Sequence, residues 1–346
     1  MHTGMRTGLV GCGKVGHLHA AALSELSTFT GVCDHDPARA AAFAAQYGAT
    51  PYADLETMLG AVDAIVICTP HPLHAAPALP ALERGIHVLV EKPLAATVDD
   101  CDRMLEAAVR GRARLGVVSQ RRFFEPVLAM KAAIAAGKIG QPILGTVAMF
   151  SWRDEAYYRS DPWRGKWSTE GGGVLINQAP HHLDILQWMM GPMREVSGEW
   201  SNLNHPYVEV EDTALANVRF ANGGLGNIVC SLSQNPGIHT KIHIHGKNGY
   251  SVGTQTDGGA TFIAGMSGSA LEPAFNDLWT IPGETAPTYN APVDPIPHYH
   301  RLQVKDFLEA IDENRPFVSP AEDGRAVVAL IQGIYRSSRE RRPVAL

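Results

Sequence analysis

Gly11-Cys12-Gly13-Lys14-Val15-Gly16 follows a short apolar run, Thr7-Gly8-Leu9-Val10, and opens a segment compatible with a helix. That order, strand then glycine turn then helix, is the order of a dinucleotide cradle. Gly11 permits the tight turn, Gly13 lets the backbone approach a pyrophosphate, and Gly16 lets the helix pack on the strand. Free N–H groups at the helix start would hold the phosphates. Glycines at an ordinary surface turn would look the same, and Asp34 separates the two readings. It ends a second apolar run, Gly31-Val32-Cys33, 18 residues after Gly16, where an acid accepts ribose hydroxyls. The stretch predicts a Rossmann unit.

Outward from the cradle, Asp36-Pro37 reads as an N-cap with proline at the first helical position, and Gly48 as the end of that helix. Ala64-Ile65-Val66-Ile67-Cys68 and His87-Val88-Leu89-Val90 are the continuous apolar runs of strands buried on both faces. Leu73 to Arg84 forms the helix between them, Thr97-Val98-Asp99-Asp100 caps another, and Leu115-Gly116-Val117-Val118 makes the sixth strand of a doubly wound parallel sheet. This first domain is expected over residues 1–121.

After a linking helix, Glu125 to Ala136, the pattern shifts to longer alternating runs. Strands are expected at Gly145–Trp152, Val196–Leu203, Thr213–Phe220, Leu225–Ser233 and Thr240–Gly246, with turns at Ala221-Asn222-Gly223-Gly224 and Lys247-Asn248-Gly249. One helix, Val174 to Met190, interrupts them, and His300–Asn314 and Ala321–Ser338 close the chain. Residues 122–346 are thus expected to be an α+β domain with a large, mostly antiparallel open sheet. The stretch Gln255–Pro297, rich in Gly, Pro and Thr, suggests ordered surface loops or an oligomer contact.

Composition narrows the function classes. With 346 residues, 18% charged and a formal charge of -6, the chain gives no electrostatic reason to bind nucleic acid. No run reaches the roughly 18 apolar residues of a membrane span, and no signal-peptide core precedes the first strand. A cytoplasmic location is the expectation. Five scattered cysteines without a C-x-x-C pair suggest neither a disulfide framework nor a zinc site. The pairs His71/His74, His243/His245 and His298/His300 lack a third ligand at a diagnostic offset, so no metal is expected.

Ligands of open parallel sheets sit beyond the carboxyl ends of the strands, which directs attention to Thr69-Pro70-His71-Pro72-Leu73-His74 and to Glu91-Lys92-Pro93. Glu91 and Lys92 could be a surface ion pair. Their place between a buried strand and a proline favours a Lys92 amine directed to where a nicotinamide lies. A second constellation is Gly171-Gly172-Gly173 followed by Asn177, His181 and Asp184, which share one face of a single helix at i, i+4 and i+7. On that face Asp184 would orient or charge-stabilise His181, and Pro180 would kink the helix. A solvated polar stripe would give the same spacing.

Together these residues resemble the Gfo/Idh/MocA family, named for glucose-fructose oxidoreductase, inositol dehydrogenase and rhizopine-catabolism proteins. The markers are Gly11 to Gly16, Thr69-Pro70 with His74, Glu91-Lys92-Pro93, Trp163-Arg164, and Gly171-Gly172-Gly173 leading to His181 and Asp184. The resemblance covers essentially the whole chain. It implies a Rossmann domain, a C-terminal α+β domain whose sheet packs against partners as a homodimer or homotetramer, and NAD in preference to NADP, since Asp34 would repel a 2′-phosphate. It also implies a cofactor lining of Gly11, Gly13, Lys14, Val15, Asp34, His35, Thr69, Pro70, His74, Glu91, Lys92, Gln120, Trp163 and Arg164.

The implied activity is oxidation of a secondary ring hydroxyl on a sugar, glycoside or cyclitol. Lys92 would stabilise the developing alkoxide and His181 accept the proton, with Asn177 and Asp184 supporting. Many sugar and inositol dehydrogenases of the family carry aspartate where this chain has Asn177. An amide takes no proton, so acid–base work falls to His181 and Lys92. Trp152, Arg153, Tyr157 and Asp161, in the polar and aromatic loop before the glycines, suit hydroxyl bonding and stacking on a sugar. Two alternatives remain at this point: an NAD-dependent redox glycosidase, and a non-catalytic NAD(H)-binding sensor.

Overall fold

The computed structural model describes residues 2–235, 239–255, 281–285, 287 and 294–346. Two compact units result, one from Met1–Gln120 with Asp294–Arg325, the other from Arg121–Val293 with Ala326–Leu346. Most of Gln255–Pro297, expected as surface loops or an oligomer contact, lies outside the described residues.

In the first unit, strands β1 (Arg6–Val10), β2 (Thr28–Cys33), β3 (Thr50–Tyr52), β4 (Ala64–Ile67), β5 (His87–Val90) and β6 (Leu115–Val117) form one parallel sheet in the order β3-β2-β1-β4-β5-β6. Strand order reverses between β1 and β4, where a doubly wound sheet opens its ligand crevice. β4 is buried throughout, as its unbroken apolar run requires. The third strand has no such run: it is an edge of three residues with Pro51 at its centre, a position where a missing N–H costs no ladder bond.

The sequence boundary at 121/122 is incomplete, because the chain returns to this unit. Helix Pro295–Asp312 packs on helix Gly16–Leu26, burying Val304, Phe307 and Leu308 in the same core as Leu9 and Leu23. Arg301 pairs with Glu25, with its Nε 2.7 Å from Oε2, and the Ser119 N–H donates to Gln303 Oε1 at 2.8 Å. Apolar spacing along that helix shows an inward face but carries no information about which core receives it.

The second unit is a seven-stranded sheet with β7 (Pro142–Phe150), β8 (Met193–Ser201), β9 (Thr213–Phe220), β10 (Leu225–Ser231), β11 (His239–Gly246), β12 (Ser251–Gln255) and β13 (Val344–Ala345). Their order is β12-β11-β7-β10-β9-β8-β13, antiparallel except for the central β7–β10 pair. Ala214, Ala216, Val218 and Phe220 of β9 are buried, while Leu215, Asn217 and Arg219 alternate outward. Helix Pro180–Met190 packs against β7. The expected Asn222-Gly223-Gly224 turn forms, with Gly223 at φ +84° and Asn222 Oδ1 accepting the Gly224 N–H at 2.8 Å.

The single expected helix Val174–Met190 is two, Val174–Asn177 and Pro180–Met190. Pro180 occupies the first turn of the second helix, where its missing N–H is harmless, so it starts a helix instead of kinking one. The break removes the common face proposed for Asn177, His181 and Asp184. Glu211 caps the first helix: its carboxylate accepts the Gly173 N–H at 2.8 Å and the Leu175 N–H at 3.0 Å, and the Tyr335 hydroxyl donates to it at 2.8 Å. The triple glycine makes room for these groups. A Cβ at Gly172 would overlap the Tyr335 hydroxyl, and one at Gly173 the Glu211 carbonyl oxygen.

Candidate active site

In the first unit the cradle sits at the β1–β4 reversal. Gly11 has φ +96°, and a Cβ there would fall 2.7 Å from the Cys68 carbonyl carbon. At Gly16 a Cβ would fall 2.7 Å from the Gly11 oxygen, so the helix could not begin so close to the strand. Around Gly13 there is open space for a Cβ, which is the room a pyrophosphate needs for close approach to the backbone. Lys14 is exposed and Val15 half-buried at the helix entry.

Asp34 does more than the sequence suggests. Its Oδ2 accepts the Cys12 N–H at 2.7 Å and its Oδ1 the Asp36 N–H at 2.9 Å, so this acid holds the cradle itself. A carboxylate has lone pairs left for hydroxyls. The exposed His35 lies 3.0 Å from Oδ1 and Arg39 3.9 Å from it.

Buried polar atoms mark the same crevice. Thr69 Oγ1, next to Pro70, and Gln120 Oε1 are buried with no hydrogen-bond partner among the described residues, and an NAD molecule would supply one. These features fit a dinucleotide. His74 and Glu91 require correction as cofactor-lining residues. His74 places one ring nitrogen 2.9 Å from the Pro93 carbonyl oxygen and the other 2.9 Å from that of Thr69, making it a strut between two crevice loops. Burial lowers its pKa, opposed by those carbonyl contacts. Glu91 turns inward: Oε1 lies 2.7 Å from His19 Nε2 and Oε2 accepts the Lys92 N–H at 3.1 Å. Burial pushes the Glu91 carboxyl up, but the His19 bond and the charges of His19, His300 and Lys92 bring it down to about 2.

His300, a member of the His298/His300 pair singled out in the sequence, clusters with His19 and Glu91, two possible ligands that the sequence offsets did not show; this is the one group of three such residues among the described residues. Neither His19 nor Glu91 has a sequence offset that would have disclosed this, since they stand 72 residues apart.

In the second unit the loop before the glycines folds around the Tyr157 hydroxyl. Arg164 Nη1 donates to it at 2.5 Å, Gln178 Nε2 at 2.9 Å and Asn177 Nδ2 at 3.3 Å. Burial raises the Tyr157 pKa. The Arg164 guanidinium lies over the Tyr157 and Trp163 rings at 4.4 and 4.5 Å and pairs with Asp161 at 3.1 Å. Arg153 stacks over Tyr157 at 5.1 Å, and Trp152 packs on His205. Gln178 Oε1 and Arg153 Nε are buried without a partner among the described residues, a free acceptor and a free donor. Asn177 Nδ2 also donates to the buried Glu170.

Sequence reasoning missed Glu170 and Gln178. A carboxylate immediately ahead of three glycines was the available signal for the first; Gln178 offered none beyond its neighbour Asn177.

His181 is buried at the start of helix Pro180–Met190. The expectation that Asp184 stands behind it is corrected: Asp184 binds the buried Arg122 guanidinium through two bonds, Nε to Oδ2 at 2.8 Å and Nη2 to Oδ1 at 2.6 Å. An imidazole one helical turn away is a weaker attraction for a carboxylate than a forked cation.

Residues 5–119 match the model of the oxidoreductase family with an NAD-binding Rossmann fold, and residues 127–252 that of the GFO/IDH/MocA C-terminal domain. The inositol 2-dehydrogenase of Acidothermus cellulolyticus is 30% identical over 256 residues, 71% of each chain. That of Rhizobium meliloti is 25% identical across 99% of each. Among solved structures, the WlbA dehydrogenase of Bordetella pertussis, in complex with NADH and UDP-GlcNAcA, superposes with a TM-score of 0.83 at 30% identity, covering 99% of both chains. By its cradle, its two-unit fold and these matches, the chain belongs to the Gfo/Idh/MocA family of NAD-binding oxidoreductases.

Proposed function

We propose that the chain oxidises a secondary ring hydroxyl of a sugar, glycoside or cyclitol to a ketone. The observation that carries the substrate class is the second unit's cluster of Arg153, Tyr157 and Gln178, in which one donor, Arg153 Nε, and one acceptor, Gln178 Oε1, have no partner among the described residues and stand beside the Tyr157 ring. Polyhydroxylated rings satisfy such groups at several points at once. The names of the relatives, inositol dehydrogenases and a dehydrogenase solved with a nucleotide sugar acid, support the same class.

Bound NAD supplies the two-electron acceptor at its nicotinamide. The chain's residues manage charge and proton. As the carbinol loses hydrogen, its oxygen gains alkoxide character, which the Lys92 ammonium stabilises while His181 takes the proton. Asn177, whose amide takes no proton, orients the hydroxyl with Tyr157. Trp163 and Arg164 belong to the cofactor side in this reading, with Gly11, Gly13, Lys14, Val15, Asp34, Thr69, Pro70 and Gln120.

A homodimer or homotetramer is part of the proposal, formed through the outward face of the second sheet, where Leu215 and Leu225 are half exposed. So is a cytoplasmic setting, in keeping with five buried free thiols; no helix among the described residues is long and apolar enough to cross a membrane.

The test is an NAD+ reduction screen over free sugars, cyclitols, glycosides and nucleotide sugars, with ketone detected independently of NADH. Lys92→Ala and His181→Ala should each lower kcat by about 100- to 10,000-fold with NAD binding within a few-fold. Near-normal kcat in either folded variant removes that residue from the mechanism. Aryl alcohol released from aryl glycosides over many turnovers without NADH would refute simple oxidation.

A further inference from the structure

Between β7 and the triple glycine the chain carries the guanidinium groups of Arg153, Arg159 and Arg164, and two of them have a carboxylate. Arg159 pairs with Glu155 at 2.6 Å and Arg164 with Asp161 at 3.1 Å. Arg153 is different. Among the described residues no carboxylate stands within ion-pair range of it; its Nη1 donates to the Trp152 carbonyl at 2.8 Å, and its Nε–H is buried without a partner.

The acids of this region are committed elsewhere. Asp154 caps helix Glu155–Arg159, its Oδ1 accepting the Tyr157 N–H at 2.8 Å. The buried Glu170 accepts the Gly165 N–H at 2.5 Å and a hydrogen of Asn177 Nδ2. Asp212 is bonded to His205, Nδ1 to Oδ2 at 2.7 Å. Arg153 itself is held in place: its carbonyl accepts the His205 Nε2 hydrogen at 2.7 Å, its neighbour Trp152 bridges to Ser233, and its guanidinium lies 5.1 Å from the Tyr157 ring centroid.

A half-buried guanidinium without a counter-charge is unfavourable, and its planar fork matches a carboxylate, which takes two parallel N–H bonds and supplies one negative charge. Gln178 meets the same tyrosine. Its Nε2 donates to the Tyr157 hydroxyl at 2.9 Å, which leaves Oε1 as a buried acceptor with no partner among the described residues. Such an acceptor takes a hydroxyl and repels a carboxylate. The two residues beside Tyr157 therefore call for different groups on one ligand.

We propose that the ring substrate is a sugar acid, its carboxylate bound by Arg153 and one of its hydroxyls donating to Gln178. This rests on the reading of the chain as a ring-hydroxyl dehydrogenase and narrows its substrate. A monoanion suits the site, because the other guanidinium over Tyr157, that of Arg164, already has Asp161. A phosphate dianion would bring a second charge with no second uncompensated guanidinium to meet it.

Steady-state rates with NAD+ on matched methyl glycosides test this: a hexoside, its uronate and its 6-phosphate, in the gluco, galacto and N-acetylglucosamine series. Wild type should show a kcat/KM for a uronate about 10- to 100-fold above that for its hexoside, the worth of a hydrogen bond to a charged group, expressed mainly in KM. Arg153→Met keeps the stem and removes the charge, and should bring that ratio close to one. Arg153→Lys keeps the charge without the fork and should fall between. An arginine that only braced Tyr157 would lower both rates together and leave the ratio unchanged, which would overturn the proposal, as would a wild type that prefers the 6-phosphate.

Oxidation of hexosides with no gain for their uronates ends this proposal and leaves ring-hydroxyl oxidation standing. Oxidation of none of them counts against that broader reading, and calorimetric titration of the same uronates into the NADH-loaded protein then decides the carboxylate site: binding weakened at least about tenfold in Arg153→Met supports it, and equal or absent binding overturns it. Should Arg153→Met fail to fold, the wild-type ratio and its fall in Arg153→Lys carry the test, and a wild-type ratio at or below one overturns the proposal.

Discussion

The Arg122–Asp184 pair offers the sharpest separation between a residue that holds the site and one that acts in it. The side chains are 0% and 6% exposed, joined by two bonds, with the Arg122 guanidinium 4.8 Å from the Trp188 ring centroid. At an effective dielectric near 20 and charge centres about 4 Å apart, the attraction is about 4 kcal/mol. Removing one partner of such a buried pair costs about 3–5 kcal/mol, because the other is left desolvated. Asp184→Asn keeps one acceptor, so about 3 kcal/mol is expected. Arg122→Met should cost a similar amount, and the double variant clearly less than the sum. Urea unfolding followed by tryptophan fluorescence, for which Trp188 is a local reporter, should show each single midpoint lowered by about 1 M for a slope near 3 kcal/mol/M. Folded Asp184→Asn should keep kcat within about tenfold, against the far larger loss in His181→Ala. An unchanged urea midpoint combined with a kcat as low as that of His181→Ala would refute the reasoning and return Asp184 to His181.

Three further outcomes follow from other parts of the structure. NAD+ should give a higher kcat/KM than NADP+, and Asp34→Ala should narrow that ratio while raising KM for both, since the Cys12 N–H loses its acceptor; equal ratios in wild type and variant would contradict this assignment. Glu211, raised by burial to about 7 against the opposing bonds from Leu175, Tyr335 and Gly173, should make stability fall as pH rises. The fold binds its proton more tightly than the unfolded chain does, so the contribution is full below about 4.5 and lost through about 7, at up to about 1.4 kcal/mol per pH unit. Urea midpoints between pH 5 and 8 should show that slope, and Glu211→Gln should flatten it. Gly173→Ala should prevent folding of the second unit or cost more than about 3 kcal/mol, since its Cβ would overlap the Glu211 backbone; a melting temperature within two or so degrees of wild type would exclude that overlap.

What was readable in the sequence was local. The cradle, the Asp36 cap that accepts the Ala38 and Arg39 N–H groups, and the alternation of β9 each depend on residues within a few positions of one another, where spacing and conformation are tied directly. The return of helix Pro295–Asp312 to the first unit was not readable, because an amphipathic face states that it will be buried without naming the core that buries it. The site divides along the same line. Lys92 is placed by the strand it follows, and Asn177 by the glycines before it. His19, Glu91 and His300, or Arg122 and Asp184, meet only after the chain has crossed the fold, and no offset encodes their meeting. Asp184 shows the cost of reasoning from spacing alone: at i+3 from His181 it had a plausible local partner, and a cation 62 residues away took the carboxylate. A forked guanidinium offers two charge-assisted bonds in a buried place, where leaving Arg122 unpaired would be far more costly than leaving a carboxylate off an imidazole. For a buried carboxylate, the nearest charged group with nowhere else to go is thus a better guide to its partner than the nearest residue on its own helix.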